Sequence, residues 1–173
     1  MSRPLTSAVI DPTIFVSAAI AIDAGRFSAS RILVEDALIR LGLFVHFTSA
    51  LILYELGDVL ARTRVPFTNE NVVDYVSLVA RASTLLTSVQ GVVMGCRDAR
   101  DDKVLECAMN APAQFIVTRD RDLLEATPGE KYAIAKTGPG IRDAPISVVT
   151  VEAFVYDVLG YERTVRGVVE RSR

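Results

Sequence analysis

Short apolar runs alternate along the chain with longer stretches in which apolar residues recur every three or four positions. The first pattern predicts buried strands, the second amphipathic helices. Ala8-Val9-Ile10 is a short strand-like run stopped by Asp11-Pro12, and residues 14–24 read as a helix ended by Gly25. Ser28 or Ser30 can cap the next helix, whose apolar face carries Ile32, Leu33, Ala37, Leu38 and Leu41 and which Gly42 ends. Residues 43–47 (LFVHF) predict a second strand. Thr48 or Ser49 can cap the helix that follows, which carries Leu51, Leu53, Leu56, Val59 and Leu60 and runs to about Arg62. Pro66 breaks the chain, and residues 68–71 open a helix over 72–82. The apolar stretch 85–93 is interrupted by Gln90-Gly91 and holds only pieces of strand. Residues 101–110 predict a helix with Val104, Leu105 and Ala108 on one face. Residues 114–118 (QFIVT) are a third clear strand, followed by a helical turn at 123–126. After a Gly/Pro-rich loop over 127–145 come a fourth strand, 146–149, and a last helix capped by Thr150 that ends near Gly160.

Strands that alternate with helices require crossover connections, hence a mostly parallel sheet with helices on both faces. The expected class is α/β, a three-layer α/β/α sandwich. No internal repeat or low-complexity block interrupts it. Residues 1–160 are expected to form one domain, with a charged C-terminal extension over 161–173.

Composition narrows the picture. The chain has 173 residues, half of them apolar and 23% charged, enough to bury a core without staples. Nineteen basic and 21 acidic residues give a net charge of −2. No global basic field therefore advertises nucleic-acid binding, and a local site must supply it. Cys96 and Cys107 stand outside any CxxC or Cys/His cluster, which excludes a disulfide scaffold and a structural zinc site. Mean hydropathy is +0.33, yet the longest nearly apolar stretch, 14–22, is too short to span a bilayer. No run of signal-peptide length precedes Asp11, so a cytoplasmic protein without membrane contact is expected. The surplus apolar surface suits a subunit interface, with the helices near 28–41 and 69–82 as dimer surfaces.

Candidate chemistry is acidic. In parallel α/β sheets the functional crevice lies beyond the carboxyl ends of the strands. Asp11 directly follows the first strand, and Asp120 follows the third after Arg119. Taken alone, Asp11 also suits a helix cap before Pro12. Glu55 sits among apolar neighbours in LILYELGDVL, where a carboxylate needs a partner if it faces inward. Asp101 opens a helix, with Asp98 and Asp102 beside it. Carboxylates gathered in one crevice repel one another, and a divalent cation relieves that. All-oxygen ligands favour Mg²⁺ or Mn²⁺ over zinc, and such an ion makes phosphodiester hydrolysis accessible without a serine or histidine nucleophile. The lone histidine, His46, lies in an apolar strand and reads as a core residue. Arg97, Arg100 and Lys103 flank Asp101, and Arg119 and Arg121 flank Asp120. These cations either neutralise the acids or meet nucleic-acid phosphates.

The segments VIDPTIFVSA (9–18), YELGDVL (54–60), CRDARDDKVLECA (96–108) and IVTRDRDLL (116–124), in that order, resemble the PIN domain. They look most like its toxin-like, VapC-like branch, to which residues 146–159 are also similar. The resemblance implies a PIN-like α/β/α fold and a metal-dependent endoribonuclease. Such a protein is commonly the toxin of a toxin–antitoxin pair, with an antitoxin protein as partner. Asp11, Glu55, Asp101 and Asp120 look like the family's catalytic, metal-holding acids. Asp98, Asp102, Asp122, Thr13 and Thr118 are possible auxiliaries, and Arg97, Arg100, Arg119 and Arg121 are candidate nucleic-acid contacts. The chain departs from the family at two points. Pro12-Thr13 replaces the usual Thr-Asn after the first acid, so Thr13 is expected to stand in through its hydroxyl. Arg119 occupies a position that is often small.

Two other readings compete. One is a PIN-like module, weakly active or inactive, that binds RNA or a protein partner. The other is a phosphoryl-transfer protein, disfavoured because no second aspartate stands two after Asp11.

Overall fold

A computed structural model of the chain describes residues 5–63, 67–87, 89, 102–124 and 146–162. Five strands lie in it: β1 (Ser7–Ile10), β2 (Val45–Ser49), β3 (Thr84–Leu86), β4 (Phe115–Val117) and β5 (Ser147–Val149). All pair in parallel, in the order β3-β2-β1-β4-β5. The chain therefore builds outward from β1 to one edge, then crosses back and builds outward through β4 to the other. The order reverses between β1 and β4, and in parallel α/β sheets that switch point is where a crevice opens at the strands' carboxyl ends.

The helices are α1 (Pro12–Asp23), α2 (Ala29–Arg31), α3 (Ala50–Arg62), α4 (Asn69–Arg81), α5 (Asp102–Asn110), α6 (Arg121–Leu124) and α7 (Val151–Ala153). Two of them continue in wider π-helical turns, α2 through Ile32–Arg40 and α7 through Phe154–Val158. Successive strand residues face opposite sides of the sheet. Ala8, Ile10 and Val117 pack with α1, the α2 helix and its extension, α4 and the last helix, whereas Val9, Phe47 and Ile116 pack with α5. Helix α3 serves both layers, Leu56 and Leu60 on one side and Ile52 on the other. This is the expected three-layer α/β/α architecture.

Local chemistry explains the boundaries. Ser28, Ser49, Thr68 and Thr150 each accept the backbone N–H three residues on and cap their helices. The rival caps, Ser30 and Thr48, are fully buried. The second strand sits two residues later than LFVHF predicts. The Leu43 N–H still closes the preceding helix on the Ala37 carbonyl, and Thr48 and Ser49 pair with Leu85 and Leu86 of β3. The helical turn expected at 123–126 begins at Arg121 because Asp120 caps it: its carbonyl accepts from Leu124 and its Oδ1 from the Asp122 N–H. Of the apolar stretch 85–93, Leu85 and Leu86 belong to β3, and residues 88 and 90–93 lie outside the described residues. The 127–145 loop, Cys96 and the extension beyond Glu162 lie outside the described residues.

His46 is a core residue. It is 1% exposed, and the Phe15 ring packs 5.3 Å from its own. Nε2 accepts from the Ile10 N–H at 3.4 Å, so the ring proton belongs on Nδ1, which donates to Ser83 Oγ at 2.7 Å. Ser83 in turn donates to the Val79 carbonyl at 2.6 Å. This chain has no place for a second ring proton, and burial pushes the His46 pKa down from 6.5 to about 3. Below pH 6.5 the unfolded chain takes up a proton that the folded one refuses, so stability falls with pH from there and is constant above. Denaturant titrations are expected to show about 2 kcal/mol lost at this site between pH 7 and pH 5. A His46→Phe variant should lack that slope; an unchanged slope would show that the linked proton sits elsewhere.

Candidate functional site

The site grows from the end of β1. The Asp11 N–H still bonds the Val117 carbonyl of β4 at 3.0 Å, so the residue leaves the sheet at the switch point itself. Pro12 begins α1, where its missing N–H costs nothing. Asp11 caps that helix: Oδ1 accepts from the Thr13 N–H and from Thr13 Oγ1, both at 2.8 Å. The helix-cap role and the candidate acid thus coexist in one carboxylate. Thr13 takes the bracing position expected of it. Asp11 is only 7% exposed, so its charge depends on such donors.

A further donor comes from β4. Thr118, fully buried, donates from Oγ1 to Asp11 Oδ2 at 2.7 Å and accepts the Asp120 N–H on the same oxygen at 3.0 Å. One hydroxyl therefore ties the first acid to the backbone of the fourth. Asp120 is partly exposed, and its Oδ1 accepts from the Asp122 N–H at 2.7 Å. Each carboxylate oxygen has two lone pairs, so Asp11 Oδ2 can still take a ligand while bonded to Thr118.

Glu55, on α3, has a different partner. Its Oε2 stands 2.7 Å from the Lys103 ammonium in the first turn of α5, with the two side chains 26% and 21% exposed. The sequence places Lys103 beside Asp101 and gives no sign of this contact. The contact follows from the packing of α5 against α3, which spacing along the chain does not encode. Arg119 turns away from Asp120, reaching Glu152 of α7 at 3.2 Å and Ser17 of α1 at 3.4 Å. Neither partner is evident from spacing, since Ser17 follows β1 and Glu152 follows β5, the two strands that flank β4. Arg121 and Asp122 lie exposed on α6. Asp102 is the first residue of α5, and Asp98, Asp101, Arg97 and Arg100 lie outside the described residues. Among the described residues no three His, Cys, Asp or Glu side chains are grouped to share a metal ion.

Other chemically active groups belong to the core. Burial pushes the Cys107 thiol up to about 12. Tyr75, whose hydroxyl donates to the Phe15 carbonyl at 2.9 Å, is raised by burial and by the negative charge of Glu35. Neither is a candidate nucleophile. A cleft of about 550 Å³ opens along α1, α3 and α4, and none of the candidate acids borders it.

A parallel sheet whose switch point carries two aspartates braced by a shared threonine defines a class of α/β protein built to present carboxylates at strand ends. A family model of the PIN domain matches residues 7–122, and the chain belongs to that family. PIN domains are generally nucleases and typically use divalent metals. No curated protein and no solved structure matches the chain. Among the described residues no helix is long and apolar enough to cross a membrane.

The shared hydroxyl is open to test. Thr118→Val keeps the shape but leaves Asp11 Oδ2 and the Asp120 N–H without their partner. Chemical denaturation is expected to show a loss of about 2–3 kcal/mol, largely restored in Thr118→Ser. A Thr118→Val protein as stable as the parent would mean that the bridge contributes nothing.

Proposed function

We propose that the protein is a metal-dependent endoribonuclease that hydrolyses RNA phosphodiester bonds in the cytoplasm as the toxin of a toxin–antitoxin pair. The observation that carries this reading is the pairing of Asp11 and Asp120 about Thr118 at the strand-order switch point. Their donor set is oxygen alone, which suits Mg²⁺ or Mn²⁺, ions held by one or two carboxylates with the remaining positions left to water and substrate phosphate. When bound, the ion supplies an activated water and positive charge against the phosphate. Asp11 and Asp120 hold it, and Asp101 and Glu55 complete the acidic set. Thr13 and Thr118 fix the Asp11 carboxylate, and Asp98, Asp102 and Asp122 stand by as auxiliaries. Arg121, exposed beside Asp120, meets the RNA backbone, as do Arg97 and Arg100. Arg119 reaches phosphate only by leaving Glu152.

Association as a homodimer fits the exposed Leu41 at 50%, Val73 at 62% and Leu78 at 37%. A second reading, a PIN-like module that holds RNA or a protein without cutting, gains support from Glu55 being engaged by Lys103.

Cleavage of a mixed RNA pool with Mn²⁺ separates the two readings. The parent should cut and stop when a chelator is added. Asp11→Asn and Asp101→Asn should each lose roughly a hundredfold or more while melting cooperatively. A folded Asp11→Asn variant that cuts at the parent's rate would refute the assignment. In sedimentation at micromolar concentration the protein should run as a dimer; a monomer removes that part of the proposal.

A further inference from the structure

The cleft of about 550 Å³ along α1, α3 and α4 stands apart from the strand-end acids, none of which borders it. Its size is in the range that admits several side chains at once. Ile22, Leu60 and Val72 give it an apolar lining. Tyr75 adds its ring, because its hydroxyl is spent on the Phe15 carbonyl at 2.9 Å. Asp23 and Asp74 line the same cleft, exposed, together with the exposed Arg81. Among the described residues no ion pair engages any of these three. An apolar cleft with an excess of acid fits a short segment with aliphatic residues on one side and arginine or lysine on the other.

The chain itself carries such a segment. Residues 163–173 read RTVRGVVERSR, with four arginines against one glutamate, 4 − 1 = +3. Val165, Val168 and Val169 are three and four apart, the spacing of one side of a helical turn. The segment also starts within reach. Tyr161, 6% exposed, belongs to the same apolar cluster as Leu60 and Val72. Helix α7 packs against α2, and α2 against α1, whose Ile22 and Asp23 line the cleft. Packed helices stand roughly 8–10 Å apart, so two such steps are about 20 Å. Eleven residues extend to as much as about 36–40 Å. We propose that residues 163–173 dock in the cleft along α1, α3 and α4 of their own chain. The valines cover the apolar lining, the arginines meet Asp23 and Asp74, and Glu170 meets Arg81. The charged extension thereby becomes part of the helical layer and closes the cleft to other occupants.

Trypsin tests this on the full chain, because it cuts after arginine and each cut within 163–173 is read by mass spectrometry. Cleavage after Arg166 should be slow in the parent, since the docked segment must first open. Asp23→Lys/Asp74→Lys changes two exposed side chains and should speed that cut roughly tenfold, as two ion pairs are replaced by repulsion. Val165→Asp/Val168→Asp should do the same from the other side of the contact. The two sets combined should add nothing further, because each already releases the segment. Melting curves confirm the fold of each variant, and Asp23→Asn/Asp74→Asn, with a smaller expected gain, serves if the lysine variant melts too low. A segment cut equally fast in the parent and in every variant overturns the inference and leaves the cleft to another occupant. Effects of the two sets that simply multiply overturn it as well, since the groups would then act independently. Protection that grows with protein concentration assigns the cleft to the same segment of a second copy and overturns docking within one chain.

Discussion

A single carboxylate, nearly buried where β1 ends, constrains most of the surrounding structure. Asp11 is 7% exposed, and a charge so placed must be met by donors or the fold loses several kcal/mol. Those donors come from two directions. Thr13 brings the first turn of α1 against Oδ1, and Thr118 brings the end of β4 against Oδ2. Satisfying one charge thus aligns a helix start with a neighbouring strand end. The same Thr118 oxygen then places Asp120. The pairing of β1 with β4 in register, Ile10 beside Val117, brings these donors within reach.

The cations show a second organising feature. A chain with net charge −2 cannot attract RNA by its overall field, so the disposition of individual cations matters. Lys103 is engaged with Glu55, and Arg119 with Glu152 and Ser17. Both contacts join segments distant in sequence. Arg119 in particular links the exit of β4 to α1 and α7, which explains how a bulky residue fits where a small one is common.

Much of the fold was legible in the sequence because its signals are local. Ala8-Val9-Ile10 before Asp11-Pro12 marks a strand, a cap and a helix start within five residues, and Gly25 and Gly42, both at positive φ, mark helix ends. The acids at strand ends were legible for the same reason: their place follows from the strand that precedes them. What was illegible is non-local. Ser49 rather than Thr48 caps α3 because β2 extends to pair with β3, and local composition does not encode that pairing. The Lys103–Glu55 pair depends on how α5 packs against α3, so a lysine that reads as a neighbour of Asp101 instead reaches a glutamate on another helix. His46 read as a core residue from its apolar strand, but its partner Ser83 could be identified only once β2 and the end of α4 were side by side.

On the proposed reading, the β1 and β4 strand ends form one cation site through Asp11 and Asp120. Anomalous X-ray scattering from crystals grown with Mn²⁺ tests it most directly. A manganese peak is expected with Asp11 Oδ2 and the Asp120 carboxylate among its ligands, at roughly 2.0–2.3 Å. A peak confined to other acids, or none within reach of Asp11 at saturating Mn²⁺, would contradict it.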